Sequence, residues 1–154
     1  MPKNRMLALL FIPFFFLLYF LFLKNNNDIR QIRLQIGDKS FSLEVASAIW
    51  QQSRGLSNRS SLCPNCGMLF VFPESHIQTF WMKDTLIPLD IIFIDTLGKI
   101  VTIHTANPQP NTPINKLKTY SSTKNAQYVI ELNAGQAKLL NLTIGQTLPL
   151  PLTL

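Results

Sequence analysis

Residues 6 to 23, MLALLFIPFFFLLYFLFL, form an uncharged run of eighteen positions in which only Pro13 is not hydrophobic. As a helix rising about 1.5 Å per residue, such a run covers roughly 27 Å, close to the thickness of a bilayer's hydrocarbon core. A domain of this size cannot surround eighteen apolar residues with aromatics on every face, so the run reads as a membrane span and not as a core helix. Lys3 and Arg5 stand before it, as the positive flank that stays in the cytoplasm. Lys24, Arg30 and Arg33 follow it, but a long carboxy-terminal domain is translocated largely regardless of such charges. Leu23 meets Lys24-Asn25-Asn26-Asn27 without the small-residue pattern of a cleavage site, which favours an uncleaved signal anchor. The expected organisation is a cytoplasmic stub at 1–5, a span at 6–23, a linker at 24–28 and one extracytoplasmic domain at 29–154.

With the run set aside, about 40% of the remaining residues are hydrophobic, an ordinary globular value that excludes both disorder and a multi-span membrane protein. The net charge is +6, and Lys3 and Arg5 supply two of those charges. The other basic residues lie singly along the chain, so no stripe tracks phosphates and no nucleic-acid partner is expected. The surplus fits attraction to anionic lipid heads beside the anchor, which makes the membrane the expected partner.

Within the domain, residues 29–36 alternate apolar and polar, Gly37-Asp38 reverses the chain, and residues 39–45 alternate again, predicting a hairpin. Val45, Ile49 and Leu56 carry helical spacing, and Gly55 stands where a C-cap would, predicting a short helix. Strands are predicted at 68–72, 77–83, 89–95, 100–104 and 128–132, with turns at Pro73-Glu74-Ser75 and at Asp95-Thr96-Leu97-Gly98-Lys99. Residues 107–125 are polar and proline-rich and read as a long surface loop. Asn133 and Gln136 match a capping box that opens a helix to about Leu142, and Gly145 releases a terminal edge strand. The expected fold class is therefore mainly β (α+β), a compact antiparallel sandwich or barrel-like domain with two short helices behind one transmembrane helix.

Cys63-Pro64-Asn65-Cys66 has a spacing that suits a redox disulfide, half a zinc site or a local structural clip. Redox work of the thioredoxin kind wants a helix after the motif, and the sequence that follows reads as a strand. A zinc site needs four ligands, whereas His76 and His104 are far apart and lack paired spacing. The expectation is a small local clip, a disulfide if the domain faces an oxidising exterior and free thiols otherwise, with no metal and no cofactor.

Gly67-Met68-Leu69-Phe70-Val71-Phe72, followed by Phe80-Trp81-Met82-Lys83-Asp84-Thr85-Leu86-Ile87-Pro88-Leu89-Asp90 and the apolar strand to Asp95, closely resembles the pattern of the family known as domain of unknown function 192. Arg54-Gly55-Leu56 and Tyr128-Val129-Ile130-Glu131-Leu132-Asn133-Ala134-Gly135 resemble its flanking motifs in the expected order. The resemblance implies a small, mostly β domain, often exported or anchored, and no established activity.

Chemistry concentrates in the same motifs. Alternation along the strand puts Trp81 and Lys83 on the face opposite Phe80 and Met82, leaving Trp81 either in the core or exposed over a groove, where it would stack on a sugar ring or another apolar ligand. Glu131 interrupts an apolar strand, so its carboxyl must be paired or protonated, and Arg54 is a fitting partner. The candidate ligand-binding residues are Arg54, Trp81, Lys83, Thr85, Asp90 and Glu131; no catalytic residue is assigned. Three functions remain open: an envelope module that binds a glycan or small molecule, an envelope hydrolase using paired carboxylates, and a purely structural envelope protein.

Overall fold

The computed structural model describes residues 29–151. The segments expected to form a stub, an anchor and a linker lie outside the described residues, among which no helix is long and apolar enough to cross a membrane.

Strands β1 (Gln31–Ile36) and β2 (Lys39–Ala46) form the expected hairpin, with Gly37 at φ +60° in its turn, a backbone conformation that costs glycine nothing. Helix α1 (Ile49–Arg54) follows and ends where Gly55, at φ +49°, donates its N–H to the Gln51 carbonyl. The apolar spacing misleads here, because Ile49 is 83% exposed. Helix α1 is instead tied down by polar contacts: Gln51 Oε1 accepts from the Ser47 and Ala48 N–H groups, and Gln52 Nε2 donates to the Val71 carbonyl at 2.8 Å.

Strand β3 (Cys66–His76) runs through the predicted turn at residues 73–75, and its register with β8 (Ala126–Asn133) slips between Val71 and His76. Pro73 lacks the N–H that a regular ladder needs, and a bulge accommodates it without ending the strand. Of the strand expected at 77–83 only β4 (Thr79–Trp81) forms, and it pairs with β7 (Thr119–Ser121). Strand β7 and a 3-10 turn at Ile114–Lys116 lie inside the stretch read as a plain loop. Strands β5 (Leu89–Ile94) and β6 (Ile100–Ala106) form the second expected hairpin, in which Asp95 Oδ1 accepts from the Leu97 and Lys99 N–H groups. Helix α2 (Gln136–Leu139) stops short of Leu142, and the expected terminal edge strand is reduced to one bridge between Lys99 and Thr147.

The six-stranded sheet has the order β1-β2-β3-β8-β5-β6. It is mixed rather than antiparallel, because the chain between β2 and β3 crosses over and returns β3 parallel to β2. Both faces are covered. One carries Phe41, Leu43, Leu69, Ile92, Ile130 and Leu132, with Leu140 and Leu142 packed on them. The other carries Met68, Phe70, Ile91, Phe93 and Val129, under Met82, Ile87 and Tyr120. Strand β5 is buried along its whole length, which explains why its sequence is an apolar run instead of an alternation.

Candidate functional site

Strand β8 lies in the middle of the sheet, where Glu131 stands between Met68 of β3 and Ile91 of β5. Its side chain is 4% exposed, and Oε2 has no hydrogen-bond partner among the described residues. A carboxylate stripped of water and given no compensating donor favours its neutral form. Burial accordingly pushes the Glu131 carboxyl up to about 8. Gly67, beside it on β3, lets the strands approach, since a Cβ there would lie 2.5 Å from the Glu131 carbonyl oxygen.

Glu131 is buried but not sealed, because it lines a pocket of about 250 Å³. Phe70 and Phe72 supply one wall from β3; Phe80 and Trp81 supply another from β4. Phe80 meets Phe70 edge-on at 4.9 Å between ring centroids and Phe93 at 5.6 Å, which locks β4 over the sheet. Trp81 points the other way along the strand and is 47% exposed at the rim.

The rest of the rim comes from two turns that hold each other. Asp84 and Asn58 both adopt left-handed backbone conformations, at φ +53° and +61°, and the Asn58 N–H donates to the Asp84 carbonyl at 2.7 Å. The Ser57 and Thr85 hydroxyls both donate to the Lys83 carbonyl, at 3.1 and 3.3 Å. Two non-glycine residues at positive φ cost on the order of 1 kcal/mol each or more, and such strain persists where the surroundings over-determine it. The two turns thereby bring Lys83 and the buried Thr85 to the pocket that Arg54, at the end of α1, also lines.

Five of the six expected site residues, Arg54, Trp81, Lys83, Thr85 and Glu131, therefore line one pocket. Asp90 does not. It faces the other side of the sheet, where its oxygens accept from Thr105 Oγ1 at 2.7 Å and from the Ala137 N–H at 2.8 Å. Asp90 thereby caps helix α2, the task expected of Asn133, while Asn133 Nδ2 donates to the Leu62 and Cys63 carbonyls and holds the cysteine loop. Because Asp90 and Glu131 lie on opposite faces, this pair of carboxylates cannot flank one bound substrate. A second, wider depression of about 630 Å³ reaches Asp90, whose oxygens are already engaged.

The expected pairing of Arg54 with a carboxylate also does not occur: among the described residues it makes no ion pair. Arg59 instead grips Glu44 with two bonds of 2.6 Å, which the sequence reading missed. Lys83 Nζ lies 3.9 Å from Asp84 Oδ2 with both side chains at least half exposed, a contact that constrains neither. Cys63 and Cys66 are joined by a disulfide at the start of β3. His104 Nε2 contacts the Ser121 carbonyl, and no group of three or more metal-ligating side chains gathers among the described residues. The sequence reading also missed the walls, although Met68, Phe70 and Phe72 alternate onto the face that carries Glu131.

Fold and site together define a mixed-sheet β module with an aromatic pocket over an unpartnered buried carboxyl. The chain belongs to the domain of unknown function 192 family, described as Uncharacterized ACR, whose model matches residues 32–150. It is similar to a crystallised protein of Sinorhizobium meliloti 1021 described as a candidate transcription regulator, at 36% identity over 77% of this chain and 90% of that one, with a TM-score of 0.66. It is also similar to a protein of unknown function from Novosphingobium aromaticivorans DSM 12444, at 27% identity over 79% of this chain and 85% of that one, with a TM-score of 0.65. No functionally curated protein matches the chain.

Proposed function

We propose that this protein is a single-pass, membrane-anchored module of the cell envelope that binds a small ligand in the pocket above Glu131. The observation that carries the reading is the unpartnered Glu131 oxygen at the floor of an open, aromatic-walled pocket. A buried polar group without a partner costs stability, and a ligand that supplies the missing hydrogen bond recovers it. The anchor rests on the uncharged run at residues 6–23. The Cys63–Cys66 disulfide suits an oxidising exterior. The position of the tether adds a geometric point. The Val45 N–H donates to the Arg30 carbonyl, so the chain leaves the linker at the end of the sheet where α1 begins, beside Ile49 and Trp50, exposed by 83% and 46%. A membrane at that end brings the pocket mouth close to the lipid surface.

Two experiments test the reading. Alkaline carbonate washing should leave the intact, unprocessed chain in the membrane fraction; its recovery as a soluble, uncleaved chain would remove the anchor. A thermal-shift screen of the detergent-solubilised full chain over glycans, small acids and amines should raise the unfolding midpoint with at least one class, and Trp81→Ala should weaken that response. Ligand stabilisation unchanged by Trp81→Ala would move the site elsewhere.

A further inference from the structure

The class of ligand follows from how the pocket distributes charge between its floor and its mouth. At the floor, Glu131 Oε2 has no hydrogen-bond partner among the described residues, and the same pocket is lined by the rings of Phe70, Phe72 and Phe80 together with the buried polar side chains of Gln78 and Thr85. Ring faces attract cations and repel anions, and a carboxylate accepts from a cation and never donates to one. An ammonium beside Glu131 is therefore favoured by the rings and, once the carboxyl gives up its proton, by the carboxylate as well. At the mouth the sign reverses. Arg54 makes no ion pair among the described residues, Lys83 has only its distant contact with Asp84, and both line the same cavity as Glu131. Two cations lining one cavity without a firmly held carboxylate can hold an anion, and the guanidinium fork suits a carboxylate or phosphate.

We infer that the pocket binds a small zwitterion whose ammonium end is buried against Glu131 and the phenylalanine rings and whose acidic end is held at the mouth by Arg54 and Lys83. The inference rests on the binding reading above and specifies it. A cavity of about 250 Å³ admits a short-chain amino acid and leaves no space for a long oligosaccharide. Binding has a proton signature. In the empty pocket the Glu131 carboxyl is largely protonated at neutral pH, since burial raises it to about 8. An entering ammonium stabilises the carboxylate, so the proton leaves for solvent as the ion pair forms. A neutral sugar would accept a hydrogen bond from the protonated carboxyl and release nothing.

Isothermal titration of the full chain in detergent micelles at pH 7 tests this, with 6-aminohexanoate, hexylamine and hexanoate as probes in two buffers of different ionisation heat. We expect 6-aminohexanoate to bind at least about tenfold more tightly than either one-ended probe and to release close to one proton per molecule bound. Glu131→Gln should abolish proton release and weaken hexylamine while leaving hexanoate unchanged. Arg54→Gln should weaken hexanoate and leave hexylamine unchanged, and as an exposed substitution it does not depend on how Glu131→Gln folds. Binding of 6-aminohexanoate without proton release, or equal loss of all three probes in both variants, would overturn the assignment. If no probe binds while a neutral sugar does at a site lost in Trp81→Ala, the zwitterion class fails and the pocket reading stands. If neither binds, both fail.

Discussion

Asp90 on β5 and Glu131 on β8 are both acids in the centre of one sheet, exposed by 1% and 4%, but they face opposite sides of it. On the Asp90 side a threonine hydroxyl and a helix N–H occupy both carboxyl oxygens, so the depression that reaches Asp90 finds them already engaged. On the Glu131 side no donor reaches Oε2, and the covering layer opens into a pocket. Burial alone thus says little about the role of an acid. A satisfied carboxyl organises the fold, whereas an orphaned one costs stability that the rest of the core must offset, and the proposed ligand site rests on that difference.

The sharpest way to break this contrast is stability against pH. Because burial raises Glu131 from 4.5 to about 8, the native state keeps a proton that the unfolded chain releases above 4.5. Stability is therefore fully present below pH 4.5, falls as pH rises through the interval, and levels off above about 8. The slope should approach about 1.4 kcal/mol per pH unit, on the order of 5 kcal/mol in all. Chemical denaturation from about pH 4 to pH 9 should show this fall in the native sequence and a flatter profile in Glu131→Gln. Equal profiles would mean that Glu131 is not held neutral by burial.

Asp90→Ala should cost roughly 2–4 kcal/mol, because it strands the Thr105 hydroxyl and the Ala137 N–H that its oxygens now accept from. At about pH 5, where Glu131 is protonated, Glu131→Gln should change stability by less than about 1 kcal/mol. Comparable losses from the two substitutions at that pH, measured by thermal unfolding, would erase the distinction between the faces. Glu44 supplies an intermediate case, 19% exposed and bonded twice by Arg59. Arg59→Ala should cost about 1 kcal/mol, with part of that loss reproduced by high salt. The smallest effect belongs to Trp81→Ala. With 47% of the residue exposed, we expect less than about 1 kcal/mol by the same unfolding measurement, against about 3–5 for a core aromatic.

What could be read from the chain divides along the same physical line. Hairpin turns at Gly37 and Gly98 are local, set by backbone conformations that the sequence advertises, and both formed where expected. Five pocket residues were legible, Glu131 because it interrupts an apolar strand and Arg54, Trp81, Lys83 and Thr85 because they gather chemistry in the family-like motifs. Side-chain partners were not legible, since they depend on which strands become neighbours. Asn133 has the right spacing for a cap but is drawn to the cysteine loop, and Asp90, 47 residues from Ala137 in sequence, caps α2 in its place. The parallel pairing of β2 with β3 and the recruitment of residues 119–121 to cover Phe80 are likewise products of tertiary packing that no local pattern encodes.

The central claim is that Glu131 sits protonated and unpartnered at the floor of a binding pocket. Carboxyl-carbon NMR of the full chain labelled on glutamate, with Glu131→Gln to assign the resonance, tests it most directly. In the ligand-free protein the Glu131 carboxyl should titrate with a midpoint near 8, moving to lower pH when 6-aminohexanoate is added. A midpoint near the ordinary 4.5 in the empty protein would contradict it.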